Sequence, residues 1–371
     1  PDNDSETSIE LEADAPVMHL SNAVRLSVRE WIFVGLTVAF VLIGMTVLWS
    51  KVEPFELPAD YRIPFSSSED YWLYRRFIQS SLQSDRVVLI GDSVIWGEYV
   101  AEDDSLSRYL SEQSESGEFV NGGVSGAHPL ALQGLVRDYA RELVGRPVIL
   151  HFNPLWMSSR ERDLQVDSEV QFNHPRLAPQ VFPTIPAYHA PFNERLGNVI
   201  HRYSAYHDCM AHLSISRWGG QNLYNWSLEH PYENPFRKPT TEAEGLRHNQ
   251  LSWTARGIRP QEFPWVEMET SLQWRAFRET VELVRSRGNK LFVIAGPLNE
   301  HLLTDASRAR YRVLMGTIQD WLEQHDVPFV APETLPSTDY ADTSHPLPAG
   351  YRRLAAEIVE DEKFQQWQSA R

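Results

Sequence analysis

The sequence predicts an α/β fold, a mostly parallel sheet covered by helices on both faces, carried behind one N-terminal transmembrane helix. Three observations lead there. From residue 86 onward, short apolar runs alternate with amphipathic stretches, the pattern of strand–helix–strand units. One run, Trp31 to Trp49, has nineteen residues and no charge. The chain of 371 residues is 42% apolar and 23% charged, enough for one large domain or two ordinary ones.

The elements come in this order. Residues 1–30 open with an acidic, polar stretch (PDNDSETSIELEADAP) and read as a disordered cytoplasmic tail. As a helix, residues 31–49 span roughly 28 Å, close to the roughly 30 Å hydrocarbon core of a bilayer. Trp31 and Trp49 stand at the two ends, where interfacial aromatics belong, and no polar face interrupts the run. Arg25 and Arg29 precede it and Lys51 comes after it, so the N-terminal side is expected to be cytoplasmic and the rest periplasmic or at the cell surface. A cleaved signal peptide is the rival reading. The run is longer than a usual signal core, and it leads into WSKVEPFE rather than a small-residue cleavage site, which favours an uncleaved anchor. Residues 50–70, with Pro54, Pro58, Pro64 and Ser66 to Ser68, read as a linker, and 71–371 as the folded domain.

Within that domain, strands are expected at Arg86–Ile90, ending at Gly91; at Glu118–Val120, ending at Asn121-Gly122-Gly123; at Pro147–Phe152; at Lys290–Ala295; and, more weakly, at Val327–Val330. Helical patterns fall at Leu106–Glu112, Leu130–Leu143, Leu272–Arg287, Tyr311–His325 and Gly350–Glu362. In Leu272–Arg287, Phe277, Val281 and Val284 share a face, Thr270 can cap the start and Gly288 the end. Alternating strands and helices imply a site at the carboxyl ends of the strands. Residues 155–270 are far more than a crossover helix requires. They carry Trp156, Trp218, Trp226, Trp253 and Trp265, and read as an inserted cap or subdomain beside the site.

Composition removes several functions. A net charge of -16 and a pI near 5.3, with no basic cluster, exclude a nucleic-acid binder. The lone Cys209 allows neither an internal disulfide nor a multi-thiolate zinc site and reads as a small, partly buried side chain. No metal-ligand spacing stands out, and no cofactor is implied.

Four features carry chemistry. Val87 to Gly97 (VVLIGDSVIWG) is an apolar strand ending in Gly91-Asp92-Ser93, which leaves Ser93 at the strand tip where a helix begins. Free N–H groups and the positive dipole end there suit a hydroxyl that becomes an acyl ester. Asp342-Thr343-Ser344-His345 can set a carboxylate against an imidazole: Asp342 would orient His345, and His345 would relay the proton of Ser93. Asn121 to Gly126 (NGGVSG) is glycine-rich, as a backbone oxyanion donor requires. His151-Phe152-Asn153-Pro154 closes the third strand, and Asn153 can aim its amide into the same crevice. Ser125, His128 and His151 are lesser candidates, and Asp339 is the alternative orienter.

In this order, Ser, Gly, Asn, Asp/His, the features resemble the SGNH/GDSL hydrolase superfamily, over about residues 85–155 and 288–362. The resemblance implies a flavodoxin-like three-layer αβα sandwich. It implies Ser93 as nucleophile, with Asp342 and His345 completing a triad. The oxyanion hole would be built from the backbone of Ser93 and Gly126 and the side chain of Asn153. The usual Gly-x-Asn-Asp block is His151-Phe152-Asn153-Pro154 here, so Asn153 stands without its flanking Gly and Asp. Asp342 to Pro346 matches the final Asp-x-x-His-Pro block. The resemblance thus implies an extracytoplasmic serine esterase acting on acylated cell-surface glycan or lipid. The alternatives are an O-acyltransferase for exported polysaccharide, working beside a multispanning membrane acyltransferase, and a non-catalytic tethered carbohydrate-binding protein.

Overall fold

A computed structural model of the chain describes residues 26–53, 60, 69–82, 85–114, 117–168, 172–236 and 251–370. The whole acidic N-terminal stretch therefore lies outside the described residues. The chain divides into two units, Pro1–Val52 and Glu53–Arg371.

In the first unit, α1 (Val28–Ala39), a π turn (Phe40–Gly44) and α2 (Met45–Val52) form one helical run. Ser27 caps it reciprocally: Ser27 Oγ accepts from the Glu30 amide and the Glu30 carboxylate accepts from the Ser27 amide. The run has 25 residues, its most apolar 18-residue window has a mean hydropathy of 2.4, and it is long and apolar enough to cross a membrane. It extends three residues beyond each end of the 31–49 span expected from sequence.

The second unit runs α3 (Tyr71–Ser81), β1 (Val87–Gly91), α4 (Ser93–Trp96), α5 (Leu106–Gln113), β2 (Phe119–Gly123), α6 (Pro129–Asp138) and β3 (Pro147–Phe152). A long connection comes next, with α7 (Phe192–Tyr203), α8 (Ala205–Arg217) and α9 (Leu223–Glu229). Then come α10 (Leu272–Ser286), β4 (Lys290–Ala295), α11 (Asp305–Gln324), β5 (Phe329–Val330), α12 (Pro348–Glu360) and α13 (Glu362–Ser369). The five strands form one parallel sheet in the order β2-β1-β3-β4-β5. Val88 lies opposite both Val120 and Val148, and Leu150 opposite Val293.

Side-chain alternation splits the core in two. Val88, Ile90, Val120, Val148, Leu150 and Val293 pack under α3, α6, α10 and α11. Val87, Leu89, Phe119, Ile149, Phe292 and Ile294 pack under α5, α12 and α13. A sheet covered on both faces explains why its strands read as unbroken apolar runs. Chain order reverses between β1 and β3, so the crevice beyond their carboxyl ends is the switch point where such sheets bind ligands.

Several boundaries differ from the sequence reading. Strand β2 continues through Asn121-Gly122-Gly123, which pair with Leu89, Ile90 and Gly91 instead of forming a turn. Helix α6 stops at Asp138, short of Leu143, where arginine side chains take its last carbonyls: Arg75 bonds Asp138 O and Arg287 bonds Val136 O and Ala140 O. Helix α11 starts six residues early because Thr304 caps it. The cap of α10 is Ser271, not Thr270: Ser271 Oγ accepts from the Trp274 amide, and the buried Asp163 carboxylate accepts from the Leu272 and Gln273 amides. Of the expected linker 50–70, residues 54–59 and 61–68 lie outside the described residues. Among the described ones, Asp60 pairs with Asn121 at the sheet edge, and Glu53 and Asp70 are buried around His212 of α8.

The connection from β3 to α10 leans on the main domain. Leu164, Ile185 and Tyr188 pack with Leu130 of α6 and Ala276 of α10, and Trp253, Phe263 and Met268 join the core under α10 and α11.

Candidate functional site

The turn after β1 is shaped by close packing. A Cβ on Gly91 would stand 2.4 Å from Ile95 Cγ1, and one on Gly123 would stand 2.3 Å from the Trp96 backbone nitrogen. Both glycines let the short helix α4 sit directly on the ends of β1 and β2. Asp92 caps α4, accepting from the Val94 amide at 3.0 Å, and Tyr351 of α12 donates its hydroxyl to Val94 O at 2.6 Å. Ser93 is thereby fixed as the first residue of α4, partly open to solvent.

The loop between β5 and α12 reaches across to it. His345 Nε2 lies 2.7 Å from Ser93 Oγ, and His345 Nδ1 lies 2.8 Å from Asp342 Oδ1 and 2.9 Å from Oδ2. An ionised carboxylate only accepts, so Nδ1 carries the proton and Nε2 is free to accept from the serine. The loop is closed by Ala341 N donating to His345 O, and Asn299 of the post-β4 segment holds Asp342 O at 3.0 Å. Asp342 Oδ1 also accepts from the amides of Ser344 and His345. Burial alone would raise the Asp342 pKa, but the facing His345 and these donors hold it well below the usual carboxylate range. For His345, burial opposes the cation, yet Asp342, with Asp92 and Glu98 farther off, raises its pKa above the ordinary value.

Beneath Ser93 lies a buried polar layer. Asp92 Oδ2 accepts from Asn153 Nδ2 at 2.8 Å and from Trp156 Nε1 at 2.9 Å, while its Oδ1 is 3.2 Å from His151 Nδ1. His151 Nε2 donates to Gly296 O at 2.9 Å. Burial again pushes upward, and the His151, Trp156 and Val94 partners together hold the Asp92 carboxyl below its ordinary pKa. Asn153 Nδ2 also lies 3.3 Å from Ser344 Oγ, so the amide expected to face an oxyanion meets two protein acceptors here.

The glycine loop is held by the long connection. Gly126 has a left-handed φ of +72°. Its carbonyl accepts from Asn173 Nδ2, and His174 Nε2 donates to Ser125 O while His174 Nδ1 accepts from the Tyr71 hydroxyl. Ser125 Oγ donates to Glu98, and His128 Nδ1 caps α6 by accepting from the Ala131 amide. Asp339 pairs with Arg353 at 2.9 Å and does not meet His345. Cys209 is buried in α8, which pushes its thiol up to about 12. Among the described residues no group of three or more His, Cys, Asp or Glu could hold a metal ion.

The sequence singles out Ser93, Asp342 and His345, and the structure brings these three into one hydrogen-bonded chain. It does not single out Tyr99 or Arg256, nor the role of Trp156. Tyr99 packs edge-on against His345 with centroids 5.4 Å apart, and the Arg256 guanidinium lies 5.0 Å over the Tyr99 ring. Trp156, three residues past Asn153, is the aromatic donor nearest that motif, and this proximity is the signal that could have found it. Arg256 has no local signal. No protein-family model matches the chain, and neither does any curated protein.

Proposed function

We propose that the protein is a serine-dependent ester hydrolase or acyl-transfer enzyme working through an acyl-serine intermediate. The observation that carries this is the Ser93–His345–Asp342 chain, with 2.7 Å from the serine oxygen to the imidazole. His345 Nε2 takes the Ser93 proton as Oγ attacks the acyl carbonyl, and then gives it to the departing alkoxide. Asp342, kept ionised, holds the imidazole tautomer and balances the cation that forms. The backbone N–H groups of Ser93 and Gly126 and the Asn153 amide are assigned to the oxyanion, Asn153 by exchanging its weaker contact with Ser344. Water or a sugar hydroxyl resolves the acyl-enzyme; the first half-reaction is common to both.

The wider reading is a flavodoxin-like sandwich of the SGNH/GDSL kind, with 155–270 as an insertion over the site. The N-terminus is cytoplasmic and the domain outside, where acylated glycans or lipids are the substrate class. Turnover of p-nitrophenyl acetate by the full chain tests the core of it. Ser93→Ala should lose roughly 10³-fold or more. Equal turnover by Ser93→Ala would sink the reading.

A further inference from the structure

Two arginines of the connection between β3 and α10 stand beside the triad. Arg256 is exposed, and its Nη1 donates to Ala341 O at 3.2 Å, one residue before Asp342. Its guanidinium carbon lies 5.0 Å from the centre of the Tyr99 ring, and that ring packs edge-on against His345 at 5.4 Å. Arg162 is half-buried, with Nη1 donating to Ser158 Oγ at 2.9 Å and its guanidinium 5.5 Å over Phe263. Tyr99 favours the Arg256 charge most, and Asp342 adds to it. Burial opposes the Arg162 charge, and Glu161 and Asp342 partly offset this.

Among the described residues neither arginine pairs with a carboxylate. By contrast Arg176, Arg202 and Arg217 of the same connection face Asp208, Asp138 and Glu53 at 3.9, 3.6 and 3.0 Å. The acids around the site are already engaged: Asp342 by His345 and two amides, Asp92 by Asn153 and Trp156, and Glu98 by Ser125. A guanidinium is a flat fork of N–H donors, of which the bond to Ala341 O uses one. In the proposed mechanism His345 returns the proton to the departing alkoxide, so groups around the imidazole face the alcohol half of the ester. Arg256, reached from the imidazole through Tyr99, is such a group.

We propose, on the acyl-serine reading above, that Arg256 binds a carboxylate on the alcohol half of the substrate, with Arg162 adding to the positive field, so that the preferred esters are those of acidic sugars. A planar carboxylate matches the guanidinium fork and carries a single charge. Asp342, Asp92 and Glu98, all close enough to act on His345, disfavour a phosphate dianion in the same place.

The test follows the rate at which a fluorophosphonate labels Ser93 in the full chain. The competitors are methyl glucuronoside, which carries a carboxylate, and methyl glucoside, which carries a hydroxymethyl group in its place. Methyl glucuronoside should halve the rate at a concentration about tenfold or more below that of methyl glucoside, and added salt should narrow the gap. Arg256→Gln should bring the two concentrations together, and Arg256→Lys should keep part of the difference. Labelling of Ser93 with equal protection by the two sugars, or with none, overturns the proposal while the nucleophile stands. A gap that survives in Arg256→Gln, or a wild-type gap that ignores salt, also overturns it. No labelling of Ser93 overturns the acyl-serine reading and the proposal with it. Stronger protection by methyl glucoside 6-phosphate than by methyl glucuronoside would overturn the assignment to a carboxylate.

Discussion

In the proposed chemistry, Asp342 and His345 set the pH at which Ser93 is activated. His345 must be neutral to accept the serine proton, and its pKa is raised by Asp342. The acid limb of kcat/KM should therefore inflect above the ordinary histidine value of about 6.5. Asp342→Asn removes the raising charge and frees the wrong tautomer. It should lower kcat by roughly 10⁴-fold and move the inflection downward, both read from one pH–rate series. An unmoved inflection would mean that His345 is not the group titrating. Asp92 has a different role, holding the floor of the site. Asp92→Asn places an N–H₂ where Asn153 and Trp156 now donate. It should cost about 1–3 kcal/mol in urea unfolding, and an unchanged midpoint would contradict that.

The short helix α4 depends on two glycines, and this is where the sequence is hardest to read. Asn121-Gly122-Gly123 reads as a turn because glycine weakens strand propensity, yet the neighbouring β1 recruits it by parallel pairing that no local pattern records. Gly123→Ala should destabilise by about 1–3 kcal/mol and shift Ser93, because the new Cβ meets the backbone of α4. Wild-type stability and turnover in that variant would show that this close packing does not matter. The strand-ending Gly91-Asp92-Ser93 and the Asp342–His345 spacing are legible because each depends on residues adjacent in sequence. The floor of the site is not: Asp92 meets Asn153 and Trp156 some sixty residues away, and His174 reaches back to Ser125 and Tyr71. Likewise Thr270 and Ser271 are equal as caps by residue type, and Asp163, more than a hundred residues earlier, decides between them. Helices α3 and α13 leave little trace in the sequence because aromatic and polar residues crowd them, and their helicity comes from packing against the sheet.

At the scale of the whole molecule, stability should carry the signature of His212. Both of its ring nitrogens face carboxylates, Asp70 at 2.7 Å and Glu53 at 3.0 Å, with Arg76 and Arg217 completing the cluster. Burial lowers the His212 pKa, but the two carboxylates win and raise it to about 9. A raised folded-state pKa gives stability that is fully present below about 6.5 and lost as pH rises through about 9, on the order of 3 kcal/mol. Glu53 runs the other way: burial raises it, but its cationic partners lower it to about 2, so its contribution is present above about 4.5 and fades as pH falls through about 2. His212→Gln should flatten the unfolding free energy between pH 6.5 and 9, and a slope equal to wild type would reject the cluster as its source. A reporter fused after Arg371 should read as outside the cytoplasm, and a cytoplasmic signal would reverse the proposed orientation.

Whether Ser93 is a nucleophile made reactive by His345 can be read directly by treating the full chain with a fluorophosphonate and mapping the adduct by mass spectrometry. One phosphonyl group per chain is expected, on Ser93, lost in Ser93→Ala and strongly slowed in His345→Ala. No adduct on Ser93, or one that forms as fast without His345, would contradict the proposed chemistry.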